Sequence, residues 1–437
     1  KIPELIHLPV ITSPEKIACQ RLLMDALSSA YVNNPTFFAM GTVTLINITL
    51  HNGISKDSNY TFAVWALLLC MKFQQYERAF ALGSLALKLN EQFQGTSNRC
   101  MVPFIIGNFI SHWRQHICRN MDYLREAFQA GVEIGDFVYG SFSAMSITRV
   151  ALSYGHDSLE SVLHDVEISL AFFKRIKNDP AHERQELIRQ TLLNLLGRTQ
   201  SRSSLNSETF NEQTHLEKMQ LIKYGTGIAL FHLYKAQTLY LSENYAEAME
   251  MAGKARQNIL FMSGMMQESD CLFFHSLIIT SLYLEASDTD RETYLQDLRK
   301  NQEKARFWVN NCTDNFLGRY LLVEAEIARV SGNFTKACGF YDQAIQSAED
   351  QGFIFLAALA NELAAKFIWP KGRPKAPVIM FIPPCTITGH GEPCAKSAIW
   401  KKNTVHSSKS RPKTKPQIRL HRPTKPEGFR QGKKPAC

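Results

Sequence analysis

Residues 321–367 read LLVEAEIARVSGNFTKACGFYDQAIQSAEDQGFIFLAALANELAAKF. The stretch predicts a helix, a tight turn at Gly332-Asn333, a second helix, another turn at Gly352, and the start of a third helix. Small residues recur where two helices must touch: Ala337 and Ala344 lie on one face with Tyr341 between them. Phe334 opens the second helix and anchors the unit.

The same arrangement returns earlier in the chain. Gln75-Tyr76, Ala79, Gly83 and Ala86 hold the relative positions of Asn333-Phe334, Ala337, Tyr341 and Ala344, and so do Asn244-Tyr245, Ala248, Ala252 and Ala255. A weaker copy runs through His116-Ile117, Asn120, Leu124, Ala127 and Gly135. The anchors Tyr76, Ile117, Tyr245 and Phe334 are 41, 128 and 89 residues apart, near one, three and two multiples of about 43. A two-helix unit cannot bury its apolar face alone, so units of this period stack on their neighbours. Alanine and glycine recur where helix axes approach to about 8–10 Å. The expected fold is all-α, a tetratricopeptide-like α-solenoid of antiparallel helix pairs over residues 1–367. Tyr76, Ala79, Ala86, Ala127, Gly135, Tyr245, Ala248, Ala255, Gly332, Phe334, Ala337, Tyr341, Ala344 and Gly352 are its packing positions.

Outward from these copies, residues 1–11 read as an extended segment, opposed to helix by Pro3 and Pro9. Ser13-Pro14-Glu15 is a helix start: serine caps, proline suits the first position, and the acid meets the positive end of the dipole. Asn33-Asn34-Pro35 divides that helix from the next. Residues 36–52 are rich in threonine and isoleucine but are read as a buried helix, since no second strand is present to pair with them. Helices are expected over 58–73, 77–93, 109–134, 137–154, 158–176, 181–196, 216–241, 245–262, 267–285, 291–311 and 316–330, with a polar loop over 198–213.

Bulk composition fits this reading. The 437 residues exceed one ordinary core, 45% are hydrophobic and 20% charged. No apolar run is long enough for a transmembrane helix, and no signal-peptide pattern follows Lys1. The chain reads as a piece of a longer protein. Ten scattered cysteines without Cys-x-x-Cys spacing imply buried thiols in a reducing cytoplasm, where the triplet at Asn47 carries no sugar. The net charge of +9 is concentrated at one end. Residues 368–437 carry 16 Lys/Arg against Glu392 and Glu427, leaving 33 basic and 38 acidic side chains in the first 367. That end also holds 11 of the 17 prolines and reads as disordered. Three readings of it stand: a phosphate-neutralising tail for nucleic acid or a membrane surface, a solvated extension, and an out-of-frame product, because the composition changes abruptly in mid-helix. If helix 3 of the opening stretch is cut at Phe367, apolar surface is left exposed there.

No catalytic centre is visible. His112 and His116, at i and i+4 in HWRQH, could face one metal on a helix, but Trp113 stands where a metalloprotease helix has glutamate, and no third ligand is evident. They are read as packing histidines. Phosphate-loop, dinucleotide, nucleophile-elbow and kinase catalytic-loop patterns are absent, so no catalytic, cofactor or metal residue is assigned. Glu324/Glu326 and Glu349/Asp350 are read as solvated helix faces. Phe37-Phe38, Phe172-Phe173 and Phe273-Phe274 are read as core.

LPVITSPEK, FISHWRQH at 109–116, LREAFQAGVEIGDFVYGSFSA at 124–144, LLNLLGR at 192–198, NQEKARFWVNNC at 301–312, and the stretch from LVEAEIARVSGN to NELAAKF at 322–367 carry a resemblance. Together they resemble the tetratricopeptide-like central region of large bacterial multidomain signalling kinases. In that family a Ser/Thr-kinase-like domain and an AAA/STAND-type predicted ATPase precede the helical region, and a GAF domain and often a histidine kinase follow it. The resemblance covers residues 1 to about 367. It implies a non-catalytic scaffold or relay in the cytoplasm, with the adjacent ATPase and kinase modules of the same polypeptide, or a bound peptide or protein, as partners. It carries over no catalytic residue and no cofactor. A nucleic-acid-binding regulator acting through the basic tail is the alternative from another class, and an intrinsic enzyme is a third.

Overall fold

A computed structural model describes residues 2–93 and 98–368. The proline-rich basic segment read as disordered or out of frame lies outside the described residues, apart from Ile368.

The described chain is all-α. Its helices are α1 (Pro14–Asn33), α2 (Pro35–Asn52), α3 (Ser58–Phe73), α4 (Tyr76–Gln92), α5 (Met101–Ile105), α6 (Cys118–Ile134), α7 (Phe137–Tyr154), α8 (Leu159–Arg175) and α9 (Asp179–Leu195). Then come α10 (Glu212–Leu221), α11 (Gly225–Leu241), α12 (Tyr245–Gln257), α13 (Met266–Leu282), α14 (Asp288–Asn311), α15 (Thr313–Val330), α16 (Phe334–Asp350) and α17 (Ile354–Ile368). Sequential helices pair as hairpins, closest in α3/α4, α6/α7, α11/α12 and α15/α16. Among the described residues the only extended pairings are two isolated bridges, of which Val10 with Ile54 ties the opening segment to the end of α2.

Local chemistry explains most boundaries. The Ser13 hydroxyl accepts from the Lys16 amide at 3.3 Å and Pro14 opens α1. Asn34 accepts from the Phe37 amide at 3.0 Å and Pro35 opens α2. The threonine-rich stretch is a helix, α2, in which Thr42 and Thr49 donate back to the carbonyls of Phe38 and Leu45, so their buried hydroxyls are satisfied within it.

The turns α3–α4, α11–α12 and α15–α16 share one geometry. Gln74, Glu243 and Gly332 take left-handed backbone, with φ of 54°, 63° and 73°. The amides of Asn244 and Asn333 then reach back to Leu239 and Ala328, both at 2.9 Å. This closes the helix end and aims the next helix back along the first.

Four expectations need correction. Residues 2–7 are a 3-10 turn (Ile2–His7), not extended chain. The helix expected over 109–134 is broken: α5 passes into a π-helical stretch (Ile106–Ile110), a 3-10 turn (Ser111–Trp113) and a loop before α6 begins. The helix expected over 216–241 is two helices, α10 and α11, because Lys223 is left-handed at φ 53° and the Tyr224 amide closes back on Met219 at 2.9 Å. The helix expected over 245–262 ends as α12 at Gln257 and finishes in a 3-10 turn, Ile259–Met262.

Candidate functional site

The broken segment at 106–117 is where remote parts of the array meet. Asn315, in the first turn of α15, is 2% exposed and spends its whole amide on that loop. Its Nδ2 donates to the carbonyls of His112 (2.6 Å) and Gln115 (2.7 Å), and its Oδ1 accepts from the Ile117 amide (2.9 Å). Backbone groups that a helix would have satisfied internally are satisfied by one side chain from another hairpin.

Trp113 projects from the loop into the core. Its ring stacks on Tyr76 of α4 (4.7 Å, 7° between planes) and on Phe316 of α15 (5.3 Å, 15°). Its Nε1 donates to the carbonyls of Phe109 and Gly264. Trp308 of α14 completes the cluster and donates to Tyr76 Oη at 3.1 Å. Buried aromatics in offset contact add about 0.5–1.5 kcal/mol per pair beyond their area.

A polar layer lies beside this aromatic one. Ser153 of α7 donates to Asp270 of α13 (2.5 Å) and accepts from Gln267 (2.8 Å). Arg319 of α15 pairs with Asp270 at 3.0 Å and donates to the Ser153 carbonyl at 2.8 Å. Both charged residues are less than 10% exposed. Burial pushes the Asp270 carboxyl up, and the Arg319 charge and the Ser153 hydroxyl pull against it.

The α16–α17 turn docks on the same region. Gln351 offers its carbonyl to His116 Nε2 (3.0 Å) and Tyr154 Oη (3.3 Å), His156 Nδ1 meets the Gly352 carbonyl (3.0 Å), and the Phe355 amide donates to the Gly155 carbonyl (3.0 Å). The last of these is a backbone bond between α17 and the end of α7. Side chains of α4, α7, α14 and α15 therefore pack together here with the 106–117 segment and the α16–α17 turn. The cavity among α13, α14 and α15 is about 20 Å³, the room of one water.

His112 and His116 do not share a face. His112 is buried with Nδ1 accepting from Asn120 (2.9 Å), and burial holds its pKa down at about 3, while His116 turns to Gln351. Among the described residues no group of three or more His, Cys, Asp or Glu could hold a metal ion. Glu326 is not on a solvated face: it is buried, accepting from Arg329 (2.6 Å), Thr280 (3.3 Å) and Tyr341. Glu324 is half-buried and accepts from Gln302 (2.7 Å), whereas Glu349 and Asp350 are exposed. Phe38, Phe172, Phe173, Phe273 and Phe274 are core, but Phe37 is 42% exposed.

Of the packing positions, Ala79, Ala86, Ala127, Ala248, Ala255, Ala337 and Ala344 are buried, as are Tyr76 and Tyr341. Tyr245 is half-buried, and Phe334 is largely exposed with its ring 5.0 Å from Phe367. Gly135, Gly332 and Gly352 are helix-ending turns with positive φ. The hub residues Trp113, Ser153, Asp270, Asn315 and Arg319 were not singled out from the sequence. Arg319 carried a usable signal, because it is a lone cation in the apolar run FLGRYLLV.

No protein-family model matches the chain. A curated relative, the hybrid signal transduction histidine kinase G of Dictyostelium discoideum, is 24% identical over 139 residues, 31% of this chain. That match spans 4% of the relative's own length. Two solved structures are similar at 12% identity. The STAND protein with a tetratricopeptide repeat sensor from Pyrococcus horikoshii has a TM-score of 0.40 over 80% of this chain and 50% of its own. The apo quorum sensor NprR from B. thuringiensis has a TM-score of 0.37 over 80% and 98%.

Proposed function

We propose that this chain is a non-catalytic helical-repeat region that relays conformational state within a multidomain signalling ATPase–kinase. The adjacent modules of that polypeptide would be its first partners, and the setting cytoplasmic. The observation that carries the relay is the hub: Asn315, Arg319 and Phe355 bind the 112–117 loop and the end of α7 directly, so a displacement of the last hairpins is felt in the middle ones. The packing positions in the repeats, from Tyr76 to Gly352, hold the hairpins rigid enough to pass it on. The match to part of a histidine kinase and the motif resemblance support the signalling context.

A protein-contact face is available on α2. That helix contains no Asp, Glu, Lys or Arg, and Phe37, Met40, Val43 and Leu50 stand 40–66% exposed along it. An uncharged helix with two apolar faces suits a docked protein better than water. No helix among the described residues is long and apolar enough to cross a membrane.

Hydrogen exchange tests the relay. Asn315→Ala raises exchange both in the 106–117 segment and in α17 if the hub couples them. A rise confined to the first turn of α15 contradicts the reading, and ATP turnover by this chain alone contradicts its non-catalytic part.

A further inference from the structure

The water-facing side of α2 has an order of its own. Among the described helices of ten residues or more, α2 alone carries no Asp, Glu, Lys or Arg. It packs chiefly on α1 and α3, against which Phe38, Leu45, Ile46 and Thr49 are buried. Its exposed positions advance by alternating steps of three and four: Phe37, Met40, Val43 with Thr44, Asn47 and Leu50. That is the spacing of a seam between two helices.

The stripe is symmetric about the midpoint between Val43 and Thr44. Turned end for end, it lays Phe37 on Leu50 and Val43 on Thr44, and exposed Thr36 on exposed His51. Half-buried Ala39 at the margin falls on half-buried Ile48, a small side chain against a large one. Met40 on Asn47 is the one mixed pair, and methionine, being unbranched, adapts to an irregular neighbour. The Thr44 hydroxyl already donates to the Met40 carbonyl (2.9 Å), so only its methyl is left to face Val43. His51 Nδ1 likewise meets the Asn47 carbonyl (2.8 Å).

A twofold contact requires this property, because a residue that touches another across the axis must be touched by it in return. Without charge, the stripe meets its own image with no like-charge repulsion, and it gives a charged partner nothing to pair with.

We propose that α2 is a self-association surface: two copies of this chain pair through it, antiparallel, with the twofold axis between Val43 and Thr44. Resting on the reading of α2 as a protein-contact face, the pairing names that protein as a second copy. The contact is small. The helix has 18 residues, about 27 Å in length, and Phe37, Val43 and Leu50 are already more than half covered within each copy. A pair of this size lies near the roughly 1,000 Å² at which specific interfaces begin, so the dimer has a Kd on the order of 10–100 μM.

The test is sedimentation equilibrium of the full chain from about 1 to 200 μM. The expected result is a monomer–dimer equilibrium whose Kd changes less than about twofold between low and high salt, because no charge crosses the seam. Val43→Glu brings two carboxylates together at the axis and weakens the dimer at least about tenfold. Ile168→Glu, at an apolar residue 55% exposed on α8, leaves it unchanged. Phe37→Lys and Leu50→Glu each weaken it, and the two together restore it, since antiparallel pairing sets the new lysine against the new glutamate twice. All four substituted positions are exposed, so the variants keep the fold, with circular dichroism as the check. A monomer at every concentration, a dimer indifferent to Val43→Glu, or a double variant no tighter than its weaker single overturns the pairing. None of these outcomes bears on the relay, which falls only on the hydrogen-exchange and ATP-turnover results.

Discussion

Trp308 of α14 donates its indole N–H to the phenol oxygen of Tyr76 of α4 across 3.1 Å. Tyr76 in turn stacks on Trp113, whose loop is held by Asn315. Hairpins far apart in the sequence are therefore consecutive in one packed chain of side chains.

Asn315 is the most exposing single cut in that chain. Asn315→Ala removes three hydrogen bonds and leaves the His112 carbonyl and the Ile117 amide buried, and the Gln115 carbonyl half-buried, without them. The expected loss is about 3 kcal/mol in urea unfolding, since each orphaned buried group costs about 1–3 kcal/mol less whatever water recovers. Asn315→Asp is worse than alanine, because its carboxylate would face two carbonyl oxygens. A loss below about 1 kcal/mol for both variants would show that the loop holds its own shape.

Gly155 and Gly332 both have positive φ, 62° and 73°, yet should respond differently to alanine. A Cβ at Gly332 meets nothing within 4 Å, so Gly332→Ala costs only the left-handed backbone, about 1 kcal/mol. A Cβ at Gly155 would stand 2.6 Å from Phe355 Cβ and would also push α17 off its backbone hydrogen bond. Gly155→Ala is expected to be the more destabilising in thermal melts, and equal shifts would contradict the close approach of α7 and α17.

The reverse substitution is expected to stabilise. Lys177 and Lys223 are exposed and hold left-handed backbone at helix ends, with φ of 55° and 53°. Lys223→Gly removes that strain and should raise stability by up to about 1 kcal/mol, read from the urea midpoint. A midpoint lowered by the glycine would place α10 and α11 in one continuous helix.

These positions show what was legible. Starts and stops written in local chemistry, such as Ser13-Pro14 and Asn34-Pro35, were readable because the capping side chain is adjacent to the amide it caps. Spacing alone places the alanines of the repeat on one helix face, and Ala79, Ala248 and Ala337 are buried. The breaks at 106–117 and at Lys223 were not readable. The first is stabilised by Asn315 and Trp113 through partners far along the chain, and the second uses lysine where the eye looks for glycine. Glu326 looked solvated because its partners Tyr341 and Thr280 lie on other helices.

Acid should weaken the fold through its buried histidines. Burial holds His112 at about 3, and His232 and His275 at about 4. The unfolded chain binds protons near the ordinary histidine value of about 6.5. The folded values are depressed, so the unfolded state takes up protons first, and stability present above about pH 6.5 is lost as pH falls toward 4. Each histidine contributes a slope of up to about 1.4 kcal/mol per pH unit. Comparing urea midpoints at pH 7 and 5, His112→Gln should fall less steeply than the parent by about one proton; equal slopes would mean that His112 is solvated.

Remote hairpins meet through the hub, and a double-mutant cycle between Tyr76 and Trp308 tests this most directly. Tyr76→Phe removes the acceptor and Trp308→Phe the donor of a bond between α4 and α14. A coupling energy above about 0.5 kcal/mol between the two substitutions is expected in urea unfolding. Effects that add within about 0.3 kcal/mol would contradict it, because independent hairpins have no reason to couple at these sites.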